Sequence, residues 1–171
     1  MKILITYLSQ TGNTEKIARA IGEVATQGNE TDIKKMEEVD AAAVSGYDFI
    51  FIGSPLHAAN LAAPMKSFLD DLKAGASKQL AGFITHSAPA YSDQDMGGFT
   101  EPIMTACKDK GIEYKGCFDC QGFLTEAIHD MVKKSQKATD EQWAEVVKQM
   151  TGHPDAEDEA KAKKFAREVL S

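Results

Sequence analysis

Four small hydrogen-bonding side chains surround one glycine in the stretch Ser9-Gln10-Thr11-Gly12-Asn13-Thr14. The stretch follows an apolar run and opens an amphipathic one, which predicts the junction of a strand with a helix. A helix N-terminus presents unpaired N–H groups and a partial positive charge, and both favour phosphate. The side chains add neutral donors, and Gly12 lets the backbone approach a ligand closely. We interpret the stretch as an anion site; the alternative is a simple helix cap made by Asn13 or Thr14.

The composition of this loop excludes two familiar nucleotide sites. The P-loop pattern needs a second glycine and a lysine, and the dinucleotide fingerprint needs three glycines in register. The stretch has a single glycine and no lysine. A triphosphate would leave much of its charge unmatched there, so a single phosphomonoester fits the loop better.

Alternating strands and helices position this loop. Apolar runs predict strands at residues 3–8, 49–52 and 79–85, and we expect an edge strand at 31–34 and the last strand at 113–121. The strand at 49–52 is expected to stop at Gly53 and Pro55, and Thr100 is expected to start a helix that runs to Lys110. The alternation predicts an α/β domain with three layers and a doubly wound five-stranded parallel sheet.

Ligands of such sheets bind beyond the carboxyl ends of the strands, at the switch point. The loops at residues 9–14, 54–63 and 86–98 should therefore form any site. After residue 122 the pattern changes, and residues 123–138 carry few clear signals. We expect one domain over residues 1–171, in which residues 123–154 are an insertion before the last helix.

The first loop resembles the phosphate loop of the flavodoxin family, whose pattern is [ST]-x-T-G-x-T. The resemblance covers residues 1–122 in element order. It implies the strand order 2-1-3-4-5, with FMN bound at the switch point. It also implies a carrier of electrons between redox partner proteins, such as reductases and ferredoxin-linked enzymes.

The resemblance further implies that the flavin ring lies between the second and third loops. The second loop lacks the large aromatic residue and the glycine that many flavodoxins have there, although Asn60 tolerates a positive φ. In the third loop Tyr91 is expected to stack on the ring, and Gly97 and Gly98 to provide flexible turns. The residues expected to bind the cofactor are Ser9, Gln10, Thr11, Gly12, Asn13, Thr14, Ser54, Pro55, Leu56, His57, Ala58, Asn60, His86, Ser87, Ala88, Tyr91, Gly97 and Gly98.

Two pairs of residues, one of histidines and one of cysteines, could form a chemical site or have a purely structural role. His57 and His86 lie on converging loops, but two histidines without a third ligand favour flavin-edge or solvent-facing positions over a metal site. Cys117 and Cys120 form a C-x-x-C pattern within a predicted strand. Residues three apart in a strand point to opposite faces, so we expect core cysteines and not a redox pair.

Composition restricts the partners. The chain has 171 residues and a net charge of −7, which argues against nucleic acid or an anionic membrane as partner and leaves basic protein surfaces open. No apolar run approaches the roughly 18 residues of a spanning helix, so no membrane insertion is expected. Three cysteines do not form a secreted disulfide framework, and we expect a cytoplasmic protein.

Three functions are compared. An FMN-binding electron carrier needs no nucleophile or general base. An FMN-dependent NAD(P)H:quinone or flavin oxidoreductase has the same fold and needs access for a second substrate, which residues 123–154 could shape. A flavin-free receiver domain needs an acidic pair after strand 1 and an aspartate after strand 3, where this sequence has Ser9-Gln10 and Ser54-Pro55.

Overall fold

One parallel sheet lies between two layers of helices. The computed structural model describes residues 1–57, 60–88 and 93–171, with the backbone alone at 93–96. The strands are β1 (Lys2–Tyr7), β2 (Glu30–Lys35), β3 (Tyr47–His57), β4 (Asn60–Leu61), β5 (Ser77–His86) and β6 (Glu113–Gln121). The helices are α1 (Asn13–Ala25), α2 (Ala63–Asp71), α3 (Asp93–Lys110), α4 (His129–Ser135), α5 (Asp140–Met150) and α6 (Ala156–Leu170).

The sheet order is β2-β1-β3-β5-β6, and all four of these pairings are parallel. The short strand β4 pairs antiparallel with the end of β3. The predicted doubly wound fold is therefore confirmed, because the five parallel strands have the expected order and β4 is an addition at one strand end. No helix in the described part of the chain is both long and apolar enough to cross a membrane.

Two hydrophobic cores cover the two faces of the sheet. On one face, α1 and α6 pack on Phe49 and Phe51 of β3, and all of these contribute fully buried residues. On the other face, Met65 of α2 and Ile103 of α3 pack on Ile50 and its neighbours. The central strands are apolar on both sides because helices cover both of their faces.

Helices α1 and α6 are also joined at the edge of their interface. Lys16 of α1 donates from Nζ to the backbone oxygen of Pro154 at 2.6 Å, across 138 residues of sequence. The same ammonium forms an ion pair with Glu159 of α6 at 3.1 Å. The helix that carries the first loop is thus held by one of the last elements of the chain.

Strand β3 continues through Gly53 and Pro55, where it was expected to stop. A Cβ at position 53 would lie 2.1 Å from Cε2 of Phe83, so glycine is needed there for close packing and not for a turn. Pro55 pairs with Thr85 of β5, whereas the pairing with β1 ends at Gly53. A proline is tolerated at this point because the side of β3 that faces β1 is no longer paired and needs no backbone N–H donor there.

Helix α3 begins at Asp93, seven residues before the expected start at Thr100. Gly97 and Gly98 therefore lie within a helix, and the expectation that they form loop turns is wrong. Pro102 lies inside α3 and cannot donate a helical hydrogen bond. Burial of Ile103 and Cys107, which are part of the core, offsets that loss, since tertiary packing contributes most of the stability of a helix.

Candidate functional site

A cavity of about 770 Å³ lies at the carboxyl edge of the sheet, where the loops after β1, β3 and β5 meet. This volume is within the range of small-molecule sites, roughly 300–1,000 Å³. The residues that line the cavity are Gln10, Thr11, Asn13, Thr14, Pro55, Leu56, His57, Thr85, His86, Ser87, Ala88, Gly122, Phe123, Leu124, Thr125, Ile128, Met131, Val132, Ser135 and Gln136.

The first loop ends in an open helix N-terminus. Gly12 is the N-cap of α1, with φ at 87°, and no side chain caps the helix at that residue. Ser9 Oγ accepts the amide N–H of Glu15 at 3.3 Å, in the first turn of the helix. The simple cap by Asn13 or Thr14 is therefore not what the structure has. The amides of Asn13 and Thr14 have no partner within the helix and are available to an anion.

A buried hydroxyl pair joins the first loop to the third. The hydroxyl oxygens of Thr14 and Thr85 are 2.9 Å apart, and either can be the donor. Thr14 is 1% exposed and Thr85 is 3% exposed. Because one hydroxyl of such a pair still has a proton to donate, the pair can also serve a ligand in the cavity.

The second loop is mostly strand. Ser54 is buried, donates from Oγ to the Pro55 oxygen at 2.9 Å and accepts the amide of Ala62 at 3.4 Å, so it supports the backbone and does not line the cavity. His57 lines the cavity and pairs with Asn60 in β4. Ala58 lies outside the described residues.

The third loop is fixed by His86. This side chain is buried, with Nδ1 2.8 Å from the Ala88 oxygen and Nε2 3.0 Å from a carboxylate oxygen of Asp119. Gln121 also donates from Nε2 to the Ser87 oxygen at 2.9 Å. The His86–Asp119 and Gln121–Ser87 contacts hold the loop against β6. Tyr91 lies outside the described residues.

Residues of a fourth segment also line the cavity. The sequence indicates them only as part of a second-substrate pocket and identifies none of them as a cofactor-binding residue. We call residues 122–136 the apolar wall, because they contribute Phe123, Leu124, Ile128, Met131 and Val132 to the lining. The last three have the i, i+3, i+4 spacing of one helical face. That short stripe is the signal that could have identified α4 as part of the site.

Aromatic contacts connect the apolar wall to helix α5. The rings of Phe123 and His129 are 5.7 Å apart, and those of His129 and Trp143 are 5.5 Å apart, both edge to face. His129 Nε2 also lies 3.1 Å from the Leu124 oxygen. Trp143 is buried and anchors α5. The wall is therefore attached to α5 as well as to the end of β6.

Comparison with known proteins places the chain in a family. Residues 4–167 match the family model described as "Flavodoxin domain". The chain belongs to the flavodoxin-domain family. A protein of Methanocaldococcus jannaschii is 29% identical over 171 residues, 99% of each chain. The flavodoxin-like domain-containing protein BilS of Clostridioides difficile is 27% identical over 180 residues, 99% of this chain and 97% of its own.

A solved structure confirms the fold. Oxidised Flavodoxin 2 from Bacillus cereus has a TM-score of 0.67 at 22% identity, over 99% of this chain and 98% of its own. The flavodoxin-domain match extends through the apolar wall to residue 167. That residues 123–154 are an insertion stays a prediction.

Apart from His57 and His86, the described residues that line the cavity of this flavodoxin-domain protein have side chains that carry no charge. Among the lining residues that the structure describes, none is Lys, Arg, Asp or Glu. Glu15, in the first turn of α1, is hydrogen-bonded by Arg19, which lowers the pKa of its carboxyl group. An anion in the cavity would therefore be held by helix amides and neutral donors.

The cysteines lie in the core, as predicted. Cys117 packs against the core beneath α3, whereas Cys120 belongs to the core beneath α1 and α6. Burial raises the pKa of both thiols. A redox pair needs an accessible, acidic thiol, and these two are neither paired nor acidic.

Proposed function

We propose that this protein binds FMN in the cavity and carries electrons between redox partner proteins. The observation that carries the proposal is the N-terminus of α1, which has a glycine as N-cap and begins at a cavity lined by both polar and apolar residues. FMN has matching ends, a phosphate and a flat ring. Family membership and the resemblance of the first loop support the same cofactor.

The polar end fits a single phosphate. Gln10 and Thr11 line the cavity and are exposed, and Asn13 and Thr14, whose amides have no partner within the helix, line it as well. Gly12 leaves open space above the backbone, since a Cβ built there meets no atom within 4 Å. These groups would hold the phosphate without a lysine, which keeps positive charge low.

The apolar end fits the flavin ring. Pro55, Leu56 and His57 would lie along one side of the ring, and Ser87 and Ala88 along another. FMN, when bound, supplies the redox chemistry, while the chain supplies position and electrostatics. Carboxylates beside the ring would disfavour extra negative charge on it, and cations would favour that charge. The effect of the neutral lining would lie between these two cases.

Partner proteins would be recognised through charge. The net charge of −7 would attract basic patches of reductases and ferredoxin-linked enzymes in weak encounters. Such encounters speed association and weaken as salt is added. Electron transfer that does not slow at high ionic strength would contradict this assignment of partners.

The cofactor assignment is tested by titrating the apoprotein with FMN and with riboflavin, and following flavin fluorescence. We expect FMN to bind more tightly, because riboflavin lacks the phosphate. Thr11→Val should weaken FMN by about tenfold, the value of one charge-assisted hydrogen bond, and leave riboflavin unchanged. Equal losses for both flavins would show that the loop does not hold the phosphate, and no binding of either would overturn the proposal.

A second candidate is an FMN-dependent NAD(P)H:quinone or flavin oxidoreductase. The apolar wall favours it, because an apolar surface at the flavin site suits a small neutral substrate. Mixing the holoprotein with NADH or NADPH separates the two functions. Rapid flavin reduction by the nucleotide alone indicates the enzyme, whereas slow reduction that a reductase protein accelerates indicates the carrier.

A further inference from the structure

Met131 places an exposed thioether in the lining of the cavity. It is 63% exposed, more than any other methionine whose side chain the structure describes, and it belongs to the apolar wall. Met36, Met65 and Met150 are buried by contrast. A thioether is soft and polarizable, and an exposed one is open to oxidants in solution. Met131 therefore combines a place in the ligand site with access from solvent.

The cysteines, which are common targets of peroxide, are poorly placed to react. Burial raises the pKa of Cys107 to about 11, and it raises the pKa of Cys117 and Cys120 as well. Peroxide reacts with the thiolate, and that form is scarce at neutral pH when the pKa is raised. Among the sulfur atoms that the structure describes, the exposed thioethers are thus the ones that peroxide reaches first.

Two other exposed methionines differ from Met131 in position. Met104 is 48% exposed on α3 and does not line the cavity, and its sulfur accepts a contact from the Thr100 hydroxyl at 3.9 Å. Met1 is also 48% exposed, but it precedes β1 and so lies at the sheet edge opposite the cavity. Of the three exposed methionines described, Met131 alone joins access for an oxidant to contact with a ligand.

Oxidation would change the apolar wall into a polar one. When hydrogen peroxide attacks a thioether, an S–O bond forms as the O–O bond breaks. The sulfur loses two electrons, and the second oxygen leaves as water with both protons. The sulfoxide carries a strong dipole beside the apolar side chains of Ile128 and Val132. Covering that dipole with a flat ring costs free energy, because the sulfoxide oxygen loses its water partners.

We propose that Met131 is a redox-sensitive modification site, at which hydrogen peroxide forms a sulfoxide that weakens binding of the flavin ring beside the apolar wall. The proposal rests on the proposed FMN function. The reverse effect follows as well, because a ring that covers the thioether keeps peroxide away from it. Loss of the cofactor thus exposes Met131, and oxidation opposes reloading until reduction of the sulfoxide restores the thioether.

The site is tested by treating the apoprotein and the FMN-loaded protein with hydrogen peroxide and mapping added oxygen by peptide mass spectrometry. In the apoprotein we expect Met131 and Met104 to be oxidised, while Met36, Met65 and Met150 stay unmodified. FMN or riboflavin should slow oxidation of Met131 severalfold and leave the rate at Met104 unchanged. An unmodified Met131 in the apoprotein would overturn the proposal, and so would equal rates at Met131 with and without flavin.

The effect on binding is measured by flavin fluorescence titration before and after peroxide. Oxidation of the wild-type apoprotein should weaken FMN and riboflavin alike, by about fivefold, since both carry the ring. Met131→Leu should abolish this response to peroxide, whereas Met104→Leu, the matched control, should keep it. Met131→Gln places a neutral polar group in the wall without any oxidant and should weaken both flavins by a similar factor. That variant decides the matter if peroxide unfolds the protein.

The outcomes separate this proposal from the FMN function. If the untreated apoprotein binds neither FMN nor riboflavin, the FMN function is overturned and the modification site falls with it. If FMN binds but neither peroxide nor Met131→Gln weakens it, only the modification site is overturned. A response to peroxide that survives in Met131→Leu would place the sensitive residue elsewhere and overturn the role of Met131.

Discussion

The polar and apolar sides of the cavity are built in different ways. The polar side consists of strand ends and the start of α1, and the buried Thr14–Thr85 pair ties it to the sheet. The apolar wall is a separate layer on the short helix α4, and Met131 in that wall is 63% exposed. The first side inherits its rigidity from the sheet, whereas the second depends on a few contacts. Substitutions in the buried pair that ties the polar side to the sheet should therefore affect stability, whereas substitutions on the apolar wall should affect ligand binding.

The largest effect is expected from Thr14→Val. This change keeps the shape of the side chain but leaves the Thr85 hydroxyl buried without its partner. We expect the free energy of unfolding to fall by about 1–3 kcal/mol, measured by urea denaturation. The double variant Thr14→Val with Thr85→Val should recover most of that loss, because no hydroxyl is then stranded. If the double variant is as unstable as the single one, the pair does not tie the loop to the sheet.

A smaller effect, on binding and not on stability, is expected from Met131→Asp. The carboxylate would face the apolar end of the cavity, and we expect FMN and riboflavin to weaken alike, by up to about tenfold. Met104 provides the matched control, because it is 48% exposed on α3 and does not line the cavity. Met104→Asp should leave both flavin affinities unchanged. A large loss of stability in Met131→Asp would show that the wall is part of the core.

Arg19→Gln should have a modest effect confined to FMN. Arg19 hydrogen-bonds the Glu15 carboxylate and lowers its pKa, so the wild-type carboxyl stays ionised to lower pH than the variant's. Above the pKa of both, the variant presents an unneutralised carboxylate in the first turn of α1. We expect FMN to weaken by about twofold at neutral pH and riboflavin not at all. The FMN difference should shrink as Glu15 is protonated at acid pH.

The smallest effect is expected at the three thiols, one in α3 and two in β6. Burial raises the pKa of Cys107 to about 11, and it raises the pKa of Cys117 and Cys120 as well. The reactive thiolate is therefore scarce at neutral pH. We expect almost no alkylation by iodoacetamide at pH 8 in the native protein, and full alkylation in urea. Rapid native labelling in Met131→Asp would mean that loosening the wall also opens the sheet.

The difference between the two sides also explains what the sequence could predict. Continuous apolar strands and the polar stretch before α1 are local signals, and both led to the observed sheet and first loop. Gly53 was misleading because its role is to admit the ring of Phe83, a contact between distant residues. The start of α3 was missed because the packing of Ile103 and Cys107 outweighs the unfavourable Pro102.

The apolar wall was the hardest part to predict. Helix α4 has seven residues, so the stripe of Ile128, Met131 and Val132 suggests one helical face but does not by itself place that face at the cavity. The place of the apolar wall at the cavity depends on the hydrogen bond from Asn13 to the Phe123 oxygen, which spans 110 residues of sequence, and on the contact of His129 with Trp143. Neither contact follows from local propensity.

The packing of α1 against α6 has a consequence for the order of events during folding. Residues of α1 share their core with Ala162 and Ala166, and Lys16 contacts Pro154 across 138 residues. Contacts of such long sequence separation form late and slow the folding of a chain. The helix start that would hold the phosphate is near the beginning of the sequence, yet it gains its final support only when residues 156–170 dock. During synthesis on the ribosome, tight FMN capture should therefore begin only after the last helix has emerged.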